Sequence, residues 1–390
     1  MNGFKNSLIY VEGKGLIKAS VRFENGVITK INEGVCEGGA CCAGADMLEL
    51  PENAVVLPGF IDEHIHGAAG ADAMDGTTDA LKTIAESVAS EGTTAFLATT
   101  MTQSRENISK ALSAVNEYKK ADHAEGAEVL GVHLEGPFIN VSKAGAQPHE
   151  YIIAPSVKEF DEFNKISGGN IKIVTLAPEC DENGELIKHL SSIGVNASIG
   201  HTSATYEQAV AAYENGAKQI THTYNAQSGY THRAVGVVGA ALLTDGLACE
   251  IIADTIHVCV PALKLLIKNK PQGKLVCITD AMRAKNMGDC VSELGGQTVY
   301  VKGGEARLAD GTLAGSVLTM NRAVKNMVEK CGVDFCEAVD FASKNPAMNL
   351  GVYNERGSIA VGKRADFAVL DKNDFTVLYT VRGGKIVYSK

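Results

Sequence analysis

Apolar and polar positions follow two different rhythms along this chain. Up to about residue 56, apolar residues recur at every second position in short segments, 7–11, 19–23 and 27–31, separated by turns. That is the period of half-buried strands, and Glu24-Asn25-Gly26 is a hairpin signal between two of them. The far C-terminus has the same character at 365–370 and 376–381, where Arg382-Gly383-Gly384-Lys385 turns into a last strand. Both chain ends are therefore expected to build one small β-sandwich, from residues 1–57 and 355–390, beside a central domain of residues 58–354.

Within that central stretch, apolar runs fall at 55–61, 94–98, 129–134, 171–176, 195–199, 219–221, 248–252 and 275–278. Helical patterns at 78–90, 104–119, 205–215 and 261–268 separate several of them. Thr205 followed by Glu207 and Gln208 reads as a helix start, and Gly216 as its stop. Eight strands alternating with helices predict an α/β fold, a TIM-like (β/α) barrel. The competitor, a doubly wound open sheet, usually shows a Gly-x-Gly-x-x-Gly turn after its first strand; here the first strand runs into histidines.

In such a barrel, polar residues at the C-terminal strand ends converge on one mouth. Those ends carry His64 and His66, then His133 and Glu135, His201, His222, Asp254 with His257, and Asp280. His64 and His66, two apart on a strand, present both imidazoles to one side, backed by Asp62 or Glu63. Single residues of this kind have ordinary explanations, such as a packed histidine or, for Asp280, a helix cap. Four histidines and two carboxylates from this set, together at the strand ends of one barrel, instead suit a borderline divalent cation such as zinc or iron.

Composition narrows the classes of function. A length of 390 residues exceeds one ordinary core, and 45% hydrophobic content with 41 glycines fits a soluble, loop-rich α/β protein. A net charge of −10 argues against nucleic acid as a partner but leaves room for a small anion held by local Arg and His residues. Met1-Asn2-Gly3-Phe4-Lys5 lacks a signal-peptide pattern, and no apolar run approaches the roughly 20 residues that span a bilayer. A cytoplasmic protein without a membrane partner is expected. The ten cysteines include no Cys-x-x-Cys pair, so a structural zinc knot is not expected. Cys249, Cys259 and Cys277 read as buried free thiols, and the Cys36, Cys41 and Cys42 cluster as a tolerated loop sequence.

The residues that carry the chemistry also carry a resemblance. They lie in Pro58-Gly59-Phe60-Ile61-Asp62-Glu63-His64-Ile65-His66-Gly67, His133-Leu134-Glu135-Gly136-Pro137, Gly200-His201-Thr202-Ser203, Thr221-His222-Thr223-Tyr224-Asn225-Ala226, Asp254-Thr255-Ile256-His257, Thr279-Asp280-Ala281 and Asp310-Gly311-Thr312-Leu313-Ala314-Gly315-Ser316. With them the chain resembles the amidohydrolase superfamily over essentially its whole length. The His-Leu-Glu-Gly-Pro block with the later motifs is similar to those members that remove acetate from N-acetylglucosamine 6-phosphate.

The resemblance implies one or two divalent cations per subunit, zinc, iron or similar. Glu135, His201 and His222 would form the main metal site, and His64 and His66 a second, with Glu135 able to bridge. Asp280 would act as general base and then general acid. Asn225, the backbone at Ala226, Arg233 and His257 would bind the sugar phosphate, some of them across a homodimer interface, and Leu313, Ala314 and Gly315 would lie against the sugar. Gln147 stands where some relatives carry a histidine; its amide can donate a hydrogen bond to a carbonyl but carries no charge. His133 and His149 are expected to be structural. The rivals are the N-acetylgalactosamine 6-phosphate epimer as substrate, ring-amide hydrolysis, and a non-catalytic assembly protein on the same scaffold. Ring-openers use a lysine at the end of the fourth strand, whereas Lys172 lies near its start.

Overall fold

The computed structural model describes residues 1–35, 46–121 and 123–390; Cys36, Cys41 and Cys42 lie outside the described residues. Eight parallel strands form one sheet in sequential order: β1 (Phe60–Ile65), β2 (Thr93–Thr100), β3 (Glu128–Glu135), β4 (Ile171–Leu176), β5 (Asn196–Ile199), β6 (Gln219–Ile220), β7 (Ala248–Ile252) and β8 (Leu275–Ile278). Side chains along β2, β5, β7 and β8 are buried on both faces, which is why these strands read as continuous apolar runs rather than alternating ones.

The sheet closes where the chain beyond β8 meets β1. Asp280 donates its backbone N–H to the His64 carbonyl at 2.8 Å, and His66 donates to the Ala281 carbonyl at 2.9 Å. The Asp62 carboxylate adds a clasp, accepting from the Thr279 hydroxyl at 2.5 Å and the Thr279 N–H at 3.2 Å. The result is the (β/α) barrel expected from the pattern, filled by one large apolar core.

Helix boundaries follow local capping chemistry. Thr205 caps helix Tyr206–Glu214, with Gln208 returning the bond to the Thr205 N–H at 2.9 Å. Ser104 caps Arg105–Lys120 and Thr77 caps Thr78–Ala89, each hydroxyl accepting one N–H of the first turn. Among the described residues no helix is long and apolar enough to cross a membrane.

Both chain ends pair in a second sheet. Its central strand Ala54–Pro58 runs antiparallel to Phe367–Asp371 and parallel to Gly3–Val11. Phe4, Phe23 and Phe367 pack as a ring cluster in its core, with centroids 5.3–6.1 Å apart. Asn25 and Gly26 adopt φ of +50° and +78° in the hairpin they mark, the left-handed pair such a turn requires.

Two expectations need correction. The apolar run 55–61 is two strands, not one: Ala54–Pro58 belongs to the small sheet and Phe60–Ile65 to the barrel. They part at Gly59, where a Cβ would lie 2.3 Å from the Thr94 hydroxyl, so the chain can cross between sheets only without a side chain there. Cys249 and Cys277 are buried, but Cys259 is exposed at the start of helix Val260–Asn269. The sequence pattern also passed over a three-stranded antiparallel sheet, Cys290–Leu294, Gln297–Lys302 and Glu305–Arg307, inserted after β8.

A buried ion pair ties this region down. Lys285 and Glu91 are almost fully enclosed, 2.8 Å apart, and Glu91 also accepts from the Met320 N–H at 2.8 Å. Removing one member leaves a buried charge without a partner. Lys285→Met is therefore expected to cost about 3–5 kcal/mol in chemical denaturation, and adding Glu91→Gln to recover most of it. Equal stability of Lys285→Met and wild type would contradict this.

Candidate metal centre

The functional side chains gather at the C-terminal mouth of the barrel. His64 stands near the end of β1 and Glu135 ends β3; His66, His201, His222 and Asp280 follow their strands by one or two residues. At three of these positions the backbone turns sharply: His201, His222 and Asp280 have φ of +48°, +28° and +47°. Non-glycine residues avoid that region, at a cost of about 1–3 kcal/mol each. Here it swings each side chain from the strand direction into the mouth.

Glu135 lies at the centre. Its Oε1 is 3.2 Å from His201 Nε2, 3.1 Å from His222 Nε2 and 3.6 Å from His64 Nε2. Its Oε2 is 3.3 Å from His66 Nε2. Asp280 Oδ1 is 3.3 Å from His66 Nε2 and 3.5 Å from His64 Nε2. Among the described residues, the side chains at the mouth form the donor sets Glu135–His201–His222 and His64–His66–Asp280, and His64 also groups with His133 and Glu250 behind them; all are buried.

These sets fit divalent cations. Donors bound at about 2.0–2.2 Å to one tetrahedral cation lie about 3.3–3.6 Å apart, close to the spacings between these side chains. His64 donates through Nδ1 to Glu250 at 3.0 Å, and His201 through Nδ1 to the Lys143 carbonyl at 2.8 Å. Each bond fixes the tautomer that leaves Nε2 with its lone pair toward the cluster. His64 Nε2 is buried with no hydrogen-bond partner, the condition of a ligand atom facing a cation position.

The same crowding sets the charge preferences of these side chains. Burial favours the neutral imidazole at His66, but the Asp280 and Glu135 carboxylates overcome it and raise its pKa to about 10. Burial pushes Asp280 up, yet the neighbouring His64 and His66 imidazoles bring it down to about 2. Glu135 is likewise drawn well below the usual carboxylate range against its burial, by His64, His201 and His222.

Sequence reasoning overlooked Glu250 and looked to the wrong acids for His64. Neither Asp62 nor Glu63 backs that imidazole: Asp62 is taken by Thr279, and Glu63 accepts from Asn349 and Gln219. Glu250, from β7, holds His64 Nδ1 and also accepts the His222 N–H at 3.0 Å. Its signal was a carboxylate in the middle of an otherwise apolar strand. His133 fills a packing role, bonded to Thr175 at 2.7 Å and to the Glu63 carbonyl at 3.2 Å. Burial and nearby His64 depress its pKa to about 3, so it is neutral. His149 is exposed.

Outside the donor sets, a cavity of about 340 Å³ opens over the cluster, lined by Gln147, Asn225, Ala226, His257, Leu313 and Gly315 among others. Ala314 is buried behind that wall, its N–H bonded to the Ala306 carbonyl at 3.1 Å. His257 donates through Nδ1 to Asp254 at 2.6 Å, and Asp254 accepts two backbone N–H groups besides. Arg233 does not join the cavity; it is exposed in the loop after Gly229. Lys143 was not anticipated, and among the described residues it is the one lysine or arginine in the lining. The inserted sheet contributes Leu294, and Gln297 ties it to the Ala146 carbonyl at 2.7 Å.

Comparison with known proteins places this centre in a lineage. The model of the amidohydrolase family matches residues 55–387. An N-acetylglucosamine-6-phosphate deacetylase of Bacillus subtilis (strain 168) is 46% identical over 343 residues, covering 87% of this chain and 86% of its own. An N-acetylgalactosamine-6-phosphate deacetylase of Escherichia coli O157:H7 is 39% identical, over 81% of this chain and 84% of its own. Among solved structures, a mutant N-acetyl-D-glucosamine-6-phosphate deacetylase of Mycobacterium smegmatis, in complex with N-acetyl-D-glucosamine-6-phosphate, superposes with a TM-score of 0.91 at 29% identity over 100% of both chains. With its barrel, its strand-end donor sets and these relatives, the chain belongs to the amidohydrolase family.

Proposed function

We propose that this chain hydrolyses the acetamido group of N-acetyl-D-glucosamine 6-phosphate, releasing acetate and D-glucosamine 6-phosphate in the cytoplasm. The observation that carries the reading is the convergence of four histidines, Glu135 and Asp280 in one cluster at the floor of one cavity in a chain 46% identical to a deacetylase of that name. Glu135, His201 and His222 would hold one divalent cation, zinc or iron. His64, His66 and Asp280, with Glu135 beside them, would hold a second. A cation so held supplies Lewis acidity, polarising a carbonyl and lowering the pKa of water toward about 7.

The chain's own residues then handle protons and position. Asp280, kept ionised by its neighbours, takes a proton from the attacking water at its carboxylate oxygen. As the C–N bond breaks, it returns that proton to the amine nitrogen, so one water is consumed and acetate leaves. Asn225 and the Ala226 backbone, at the turn after β6, face the sugar. Leu313 and Gly315 close its far side, and Ala314 holds that turn in place. The phosphate is read by His257, oriented through Asp254, and by Lys143. In a homodimer, the exposed Arg233 reaches the partner's cavity and completes the phosphate site.

Asp280→Asn is expected to retain a cation at Glu135, His201 and His222 while acetate release falls about 10²–10⁴-fold; metal analysis beside an acetate assay checks both, and retained turnover would remove Asp280 from this role. Lys143→Met should raise KM for the phosphorylated sugar about 10–100-fold, the loss of one charge-assisted contact. It should leave the unphosphorylated sugar's kinetics unmoved, and an equal effect on both sugars would exclude phosphate reading by Lys143.

A further inference from the structure

Gln147 lines the cavity, yet its side chain is already engaged. It is 3% exposed, and the Thr102 backbone N–H donates to its Oε1 at 2.7 Å. A backbone N–H can only donate, so the amide oxygen must face Thr102 and the amide nitrogen must face the other way. That nitrogen lies 2.8 Å from Glu135 Oε2 and donates to it. The orientation of the amide is therefore set by chemistry on both sides.

We infer that Gln147 is a positioning residue for Glu135 rather than a group that contacts substrate, an inference that rests on the metal reading above. By holding Oε2, it stops the carboxylate from rotating and keeps Oε1 on His201 and His222. The same oxygen still has a lone pair for the His66 side, 3.3 Å away. The donor is neutral, and that matters. A lysine or arginine here would compete with a divalent cation for the carboxylate's charge, and an acidic side chain would repel it. An amide fixes geometry while leaving the ligand's full charge to the cation. Thr102, just past the end of β2, anchors the amide to the barrel rather than to the loop that carries Gln147.

The test is zinc affinity, by competition with a chromophoric chelator, of the full-length wild type, Gln147→Met, Glu135→Gln and the double variant. Gln147→Met should bind zinc 10–100-fold more weakly, as the loss of a group orienting a ligand does. In the Glu135→Gln background the same change should have no further effect, because its route is gone. At saturating zinc, KM for the sugar phosphate should stay within threefold of wild type. Zinc affinity within twofold of wild type together with a tenfold rise in KM would overturn the inference and make Gln147 a substrate contact. So would losses that multiply in the double variant. Thermal melting of the zinc-free proteins checks folding. If Gln147→Met does not fold, Gln147→Asn, an amide too short to bridge Thr102 and Glu135, should show the same zinc loss. Because zinc binding needs no turnover, a wild type that binds zinc but deacetylates nothing would overturn the substrate reading alone.

Discussion

The seam between the first and eighth strands is the constraint on which the site depends. Eight parallel strands could equally remain a twisted open sheet. Here the backbone bonds from Asp280 to His64 and from His66 to Ala281, both under 3 Å, force the two ends together. That closure carries Asp280 to the His-x-His pair, and the Asp62–Thr279 clasp holds the register one residue earlier. With the seam set, β3 delivers Glu135 to the middle of the mouth, and the left-handed turns after β5 and β6 aim His201 and His222 at it. Strained backbone at three such positions persists only where the surrounding barrel over-determines it.

Much of this was legible because strand ends are conspicuous. An apolar run of five or six residues that stops at His, Glu or Asp announces both an element and what it delivers, as at Glu135, His201 and Asp280. Helix starts were equally plain where a hydroxyl cap and its partner stood three apart, as at Thr205 and Gln208. What stayed hidden depended on the third dimension. Nothing local marks Gly59 as a crossing between sheets, since apolar residues continue on both sides; only the approach of Thr94 from a neighbouring strand explains it. Asp62 and Glu63 seemed natural partners for His64 because they are close in sequence, but Glu63, its strand neighbour, points to the other face, and Asp62, two residues away, is spent on Thr279. The partner came from β7 instead. Arg233 had the right chemistry for a phosphate, yet within one chain it stands outside the cavity, and Lys143, on a short turn bonded to His201, stands inside it.

The inserted sheet after β8 gives the mouth its depth. Its own small apolar core packs on Met101 and Met282 at the barrel rim, and Leu294 from its first strand joins the cavity wall. A cavity with the donor set at its floor and Lys143 and His257 in its wall suits a ligand with a small acyl group at one end and an anion at the other. Catalysis of amide cleavage needs the same separation: a dry, crowded donor set to strengthen electrostatics at the carbonyl, and a distant charged handle that positions it.

The most direct measurement is acetate release, on protein of known metal content, from N-acetylglucosamine 6-phosphate, its galactosamine epimer and unphosphorylated N-acetylglucosamine. The expected result is strong preference for the phosphorylated glucosamine over both others. Turnover of the epimer alone would keep the chemistry and move the substrate. No acetate from any of the three, with metal bound, would contradict the deacetylase reading.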